Sequence, residues 1–388
     1  MSKILSTIYP IADFLYLLQL EEYESKRYFN TIKRFWWRRN IQKRGKLVYT
    51  KRINITLALA LPFCITMPPF TPLWIWLSNS VLTPYFERIK LNIQKNAAIH
   101  FNKYGKNTKV IAIAGSYGKT TVKNYIYEFV RYNYKTQIIP GNINTPTGIA
   151  NWLLNNFDHS SELLIVEVDT YFVGEIKRSL RITPPDIALL TNVGDQHLER
   201  LGSKSNLKKA LLEIFDYAKP NAIKICDKKT NLAYALKVAK ILNIPNDIIK
   251  DTITKLKKPD RRGDVKIINK FKVIDQSYNI SGDTAKYGVD NAVKLAKLDK
   301  KGLIVITAGI PELGEENKYA NKKLGKYLVK KVHKIILLKS ILYTEVINNS
   351  NKFILANNLN DAWKILEEYD PKKYLILLQP ELNDLYYE

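Results

Sequence analysis

Lys119 and Thr120 stand where the turn Gly115-Ser116-Tyr117-Gly118 gives way to a helical pattern, and the turn is entered from the apolar, strand-like run Val110 to Ala114. Backbone N–H groups and a helix N-terminus converge at such a bend, which suits a polyphosphate. Glycine lets the backbone come close, Lys119 would balance β/γ charge, and the Thr120 hydroxyl could ligate magnesium. The pattern is not a full Walker A, because its first glycine falls on Ile113. Phosphate binding is nevertheless favoured over an ordinary glycine turn.

Other polar residues follow apolar strand-like runs. Glu167 closes Leu163-Leu164-Ile165-Val166, and Asn192 and His197 lie in Thr191-Asn192-Val193-Gly194-Asp195-Gln196-His197. Singly, each fits a capping or solvent-facing role as well as a functional one. As a set after one phosphate loop, Thr120, Glu167 and His197 point to a divalent ion. Further on, Asp275 ends Phe271 to Ile274, Asn279 closes the polar turn that follows, and Arg261 and Arg262 precede it. They are either a hinge and a strand-end turn, or a clamp that a second domain brings onto a nucleotide.

The elements that must position these residues read as α/β. Strands are expected at 109–114, 136–139, 162–168, 186–191 and 221–225, then at 271–275, 302–308, 334–338 and 374–378, with helices between. Such alternation predicts mostly parallel, doubly wound sheets with the site at the carboxyl ends of strands. At 388 residues the chain exceeds a single core. Three regions are expected: a helical, basic and hydrophobic one over 1–106, a nucleotide-binding domain over 107–258, and a C-terminal α/β domain over 259–388.

The net charge of +25 comes from scattered lysines, so solvated faces are preferred to a nucleic-acid groove. Attraction to anionic lipid and phosphorylated precursors is the better use of that charge. Cys64 and Cys226 lie far apart without metal spacing, which argues against disulfides or zinc and for a reducing compartment. The apolar, amphipathic start Ile8 to Leu20 leads into Arg34-Phe35-Trp36-Trp37-Arg38-Arg39, with Lys43, Arg44, Lys46, Lys51 and Arg52 beyond. Tryptophan beside arginine suits a membrane interface, and a basic helix packed on its own protein is the alternative. Ile53 to Leu82 is free of charge but broken by Pro62, Pro68, Pro69 and Pro72. Its halves, 55–67 and 73–82, fall short of the ~20 residues of a spanning helix. A hairpin turning at Pro68 to Pro72 is expected, both ends on the cytoplasmic side, with a connecting helix over 84–106. No cleaved signal peptide is expected.

G-S-Y-G-K-T-T, Gly141-Asn142-Ile143-Asn144-Thr145-Pro146, Glu167 with Gly174-Glu175-Ile176, Thr191 to Ser203, Arg262, Asp275 to Asn279 and Glu312-Leu313-Gly314 follow one another in the order and approximate spacing of the Mur ligases. Leu377 to Tyr386 also resembles the ends of that group. The resemblance covers about residues 107 to 388 and is strongest to the members that add D-alanyl-D-alanine to a muramoyl tripeptide. It implies an ATP- and Mg2+-dependent amide ligase working through an acyl phosphate. It gives Lys119 the β/γ-phosphate, with Gly115, Ser116, Gly118, Thr120, Thr121 and Asn192 around the nucleotide. It gives magnesium to Thr120, Glu167 and His197, the closing ATP site to Arg262, Asp275 and Asn279, and the muramoyl-peptide precursor to Asn142, Asn144 and Thr145. Lys119, His197 and Arg262 are the expected catalytic residues, in a monomer at the cytoplasmic face of a membrane.

Several positions depart from that pattern. Leu211 stands where a carbamoylated lysine usually helps bind a second magnesium, leaving Lys208, one turn away, or no second site. Gln276 replaces an acidic residue and Asp264 a glutamate. Ile223 to Asp227 runs almost directly into the helical pattern from Asn231, without an expected strand-rich piece. The domain that holds the UDP sugar is replaced by the membrane-like segment. A degenerate nucleotide-binding scaffold is therefore an alternative, and so is a precursor-amidating relative. The latter carries a four-cysteine zinc element that two cysteines cannot supply.

Overall fold

The computed structural model describes residues 10–36, 45–141, 143–195, 197–226, 230–257, 259–340, 342–347 and 350–379. Asn142, Trp37 to Arg44 and Pro380 to Tyr386 therefore lie outside the described residues. The described chain forms two compact units, one up to Leu91 and one from Asn92 onward.

In the larger unit the first sheet is wholly parallel, in the order β2 (Thr136–Ile138), β3 (Leu163–Glu167), β1 (Lys109–Ala114), β4 (Ile187–Leu190), β5 (Ile223–Ile225). The central strands are near-continuous Val, Ile, Leu and Ala because helices cover both faces, and everything from Val110 to Ala114 is buried. One face packs Val110, Ala112 and Leu164 on the helices Pro146–Asn156 and Lys204–Asp216. The other packs Ile111, Ile113 and Ile165 on Lys119–Val130 and Asn231–Ile241. All five strands expected here form, with ends moved by a residue or two.

The second sheet runs β10 (Phe353–Ala356), β9 (Lys334–Leu338), β8 (Gly302–Thr307), β11 (Tyr374–Leu378), β7 (Phe271–Asp275), β6 (Asp264–Ile268). It is parallel except for the hairpin β6–β7. β6 and β10 escaped the sequence reading. The hairpin turns on Asn269 and Lys270, both left-handed at φ 49° and 68°, a two-residue geometry usually signalled by Asn-Gly.

The smaller unit contains the helices Ile11–Leu20, Ser25–Phe35 and Lys51–Thr66, a 3-10 turn Pro68–Phe70, and the start of the helix Thr71–Tyr104. The chain does turn at Pro68-Pro69. Pro62 and Pro84, however, lie inside helices, so the expected segments 73–82 and 84–106 are one element. Thr83 Oγ1 donates to Asn79 O (2.7 Å) within this stretch. The proline costs one i→i−4 bond but does not end the helix. Among the described residues no helix is long and apolar enough to cross a membrane.

Candidate functional site

β1 lies between β3 and β4, so the strand order reverses beside it and a crevice opens at their carboxyl ends. Three connections reach that crevice: the loop after β1 with Lys119 and Thr120, the end of β3 with Glu167, and the loop after β4 with His197. A cleft of about 270 Å³ results. Its walls include Ser116, Gly118, Lys119, Thr120, Thr121, Asn144, Glu167 and His197 from the first sheet, and Arg262 and Asn279 from the second.

The phosphate loop is braced from β4. Ser116 N donates to Asn192 O (2.7 Å), Gly194 N to Ser116 Oγ (2.9 Å), and Thr191 Oγ1 to Tyr117 O (2.7 Å). Asn192 and Gly115 thus shape the loop from behind, and neither lines the cleft. Gly115 has φ +140°, and a Cβ there would collide with Thr191 Oγ1. Gly118 has φ +87°, and its missing Cβ leaves room for Asn231. The helix that follows opens with N–H groups lacking intrahelical acceptors, which aim its positive end into the cleft.

Lys119 Nζ donates to Gly115 O (2.6 Å) and lies 3.2 Å from Asp169 Oδ2. Thr120 Oγ1 donates to Glu167 Oε2 (2.8 Å). The same carboxylate meets Lys123 Nζ at 3.1 Å, and Lys123 is only 1% exposed. Burial pulls the Lys123 pKa down, while the facing carboxylate opposes that shift. His197 Nδ1 meets Glu312 Oε2 at 2.6 Å, so only Nε2 remains for another ligand. Glu312 belongs to the second sheet's loops, and its carbonyl accepts from Glu199 N (3.0 Å). Both His197 and Glu312 are left-handed, at φ 57° and 60°.

Among the described residues no three His, Cys, Asp or Glu side chains converge into a preformed metal cage. A hydroxyl, a buried carboxylate and an imidazole on one cleft instead match an ion that takes few protein ligands and completes its shell with phosphate and water, as magnesium does.

From the second sheet, the Arg262 guanidinium lies over the Tyr278 ring, 3.8 Å from its centroid. Arg261, left-handed at φ 60°, is tied to Ser277 by Nε–Oγ (2.9 Å) and Nη2–O (2.9 Å). Asp275 differs from expectation: it is bound to Lys266 Nζ (2.7 Å) and accepts from Ser277 N (3.0 Å), and it does not line the cleft. Gln276 does, held by Nε2 donating to Thr284 O (2.8 Å). Thr145 also stays off the cleft, because its hydroxyl caps a helix by accepting from Gly148 N (3.3 Å). Asn144 reaches it, with Nδ2 3.4 Å from Asp169 Oδ2. Leu211 is in the hydrophobic core and Lys208 is exposed, away from the cleft wall.

Sequence reading missed Lys123, Asp169 and Asn231. The first two carried a signal. Lys123 follows Lys119 by one helical turn, and Asp169 follows Glu167 by the two-residue strand period.

The Asp275–Lys266 pair sets a pH window. Burial opposes ionisation of Asp275, but hydrogen bonds from Lys266 and Ser277 outweigh it and hold the carboxyl below its usual range; the Lys266 ammonium is raised. A depressed carboxyl gives stability above its unfolded pKa, about 3.9, that is lost as pH falls through the folded value. The raised ammonium gives stability below about 10.4 that is lost as pH rises through its own folded value. The urea midpoint should therefore drop below about pH 4, and Lys266→Met should shallow that acid limb.

The Mur ligase middle domain matches residues 113–293. The UDP-N-acetylmuramoyl-tripeptide--D-alanyl-D-alanine ligase of Bacillus subtilis (strain 168) is 32% identical over 133 residues, 34% of this chain and 28% of that protein. Its namesake from Escherichia coli (strain K12) is 32% identical over 126 residues, 32% of this chain and 27% of that protein. The matched stretch thus spans under a third of either relative. The crystal structure of the MurF ligase from Thermotoga maritima in complex with ADP superposes with a TM-score of 0.69 at 21% identity, over 75% of this chain and 80% of that one. A pseudomurein peptide ligase type C from Methanothermus fervidus gives 0.56 at 18% identity, over 71% and 76%. Those structures share the fold, and residues 113–293 of this chain match the Mur ligase middle domain.

Proposed function

We propose that this protein is an ATP-dependent amide ligase of cell-wall precursor synthesis. It joins D-alanyl-D-alanine or an amino acid to a muramoyl-peptide carboxylate, as a monomer at the cytoplasmic face of a membrane. The observation that carries the reading is the meeting of Lys119, the Thr120–Glu167 pair and Arg262 around one cleft. A carboxylate oxygen attacks the γ-phosphorus and ADP leaves. The amine then attacks the acyl carbon, phosphate departs, and the amine gives up a proton.

In-line phosphoryl transfer needs positioning and charge neutralisation more than a protein nucleophile. Lys119 and the helix N-terminus hold the phosphates, and Arg262 adds positive charge from the second sheet. Asn144 is the substrate-side contact that reaches the cleft. Thr120, Glu167 and His197 would hold magnesium, which neutralises phosphate charge during transfer.

The test is ADP release from ATP and magnesium, with muramoyl tripeptide, soluble or lipid-linked, plus D-alanyl-D-alanine or single amino acids. Turnover that requires both acceptor and amine is expected. Tight ATP binding without turnover on any acceptor would favour a nucleotide-binding scaffold.

A further inference from the structure

The helical hairpin of the smaller unit buries several polar side chains beside Ile53, Ala60, Cys64 and Ile75 and leaves large apolar ones exposed. From Ile53 to Phe86 there is no charged residue. A water-soluble hairpin of that composition would turn its few polar groups outward. Here Thr56, Thr71, Ser78 and Asn79 are buried, while Phe63 is 51%, Met67 48% and Val81 67% exposed. Leu59, Phe70 and Leu77 extend the same apolar exposure.

The inward amide of Asn79 is held by hydrogen bonds. Arg52, buried at the base, donates from Nη2 to Asn79 Oδ1 (2.8 Å) and Thr83 Oγ1 (3.0 Å) and lies over the Tyr23 and Phe86 rings. Asn79 Nδ2 donates to Tyr23 O (2.9 Å), and Trp76 Nε1 to Ser25 O (3.0 Å). The outward apolar set is therefore left over from an inner face fixed by Arg52 and Asn79. Outer apolar surface in water is unfavourable, and a patch of this kind marks an interaction site.

We infer that this outer face docks into one leaflet of a bilayer rich in anionic phospholipid. Charge selects lipid over a second apolar protein. From Ser25 to Phe86 the sequence has no Asp or Glu, and Lys51 and Arg88 are exposed at the hairpin's base. Each basic residue near an anionic surface strengthens binding, and salt screens that attraction. Depth follows from length. The arm Lys51–Thr66 has 16 residues, roughly 24 Å at the helical rise, short of the ~30 Å hydrocarbon core. The tip at Pro68–Phe70 dips in, and the cations stay at the headgroups.

The inference takes up the membrane location proposed above, not the ligase chemistry. Flotation of the full chain with vesicles of phosphatidylcholine alone, or with about a third phosphatidylglycerol, tests it. Binding to the anionic vesicles, weakened by salt, is expected, and Phe63→Glu/Met67→Glu should lower it at least tenfold with the circular dichroism unchanged. Should that variant misfold, brominated lipid should quench tryptophan fluorescence in the unaltered chain, since Trp74 stacks on Phe63 at 5.0 Å. Equal binding by a folded variant, or no quenching, overturns the inference. So does a dimer in ultracentrifugation that the variant abolishes while vesicles stay unbound. ADP release is read separately: flotation without turnover keeps this surface and removes the ligase reading, and turnover without flotation does the opposite.

Discussion

Lys119→Ala should lower acceptor-dependent ADP release by at least about 10²- to 10³-fold, the usual cost of removing one preorganised charge stabiliser from a transferring group. The ammonium is already in place, held by Gly115 O at 2.6 Å and Asp169 at 3.2 Å and almost wholly enclosed. Incoming phosphate need only draw it off a loop carbonyl, which requires little reorganisation. Lys119→Arg should not rescue the rate, because a planar fork cannot occupy a point-charge position behind a tight glycine turn. Single-turnover kinetics with the acceptor present, beside a nucleotide-binding titration, separate lost chemistry from lost affinity. Unchanged turnover in Lys119→Ala would remove the loop from the mechanism altogether.

Glu167→Ala should destabilise the protein by about 3–5 kcal/mol, as expected when one partner of a buried ion pair is deleted. The reason lies with its neighbour. Glu167 is 3% exposed and faces Lys123, whose other partner is the carbonyl of Ile139 at 3.1 Å. Removing the carboxylate strands an ammonium in the core. Glu167→Gln combined with Lys123→Met should recover most of the loss in urea unfolding and still fail to turn over ATP. That pattern separates the structural duty of Glu167 from its place beside Thr120. If the double variant regains activity, Glu167 is a packing residue only.

Those two results bear on what a sequence can reveal. The crevice was legible because the rules that make it are local: an apolar run, a glycine turn and a helix start fix Lys119 and Thr120, and strand ends fix Glu167 and His197. Partnerships across the fold were not. Nothing near Asp275 shows that Lys266, from a strand too short and polar to stand out, would hold its carboxylate at 2.7 Å. Thr145 has the residue type for substrate contact but sits where a helix needs a cap. The segments 73–82 and 84–106 read as separate, yet one helix runs through Pro84, with Asn79 on the preceding turns held by Arg52. Lys123 lay on the right helical face and went unread, since a lysine is expected at the surface.

The imidazole of His197 leans on Glu312, a residue that travels with the other sheet. Were the two sheets to part, the ring would lose that anchor. On the proposed ligase reading, such an open form should be a poor ATPase, sparing its fuel from water until both sheets have gathered round a complete set of reactants.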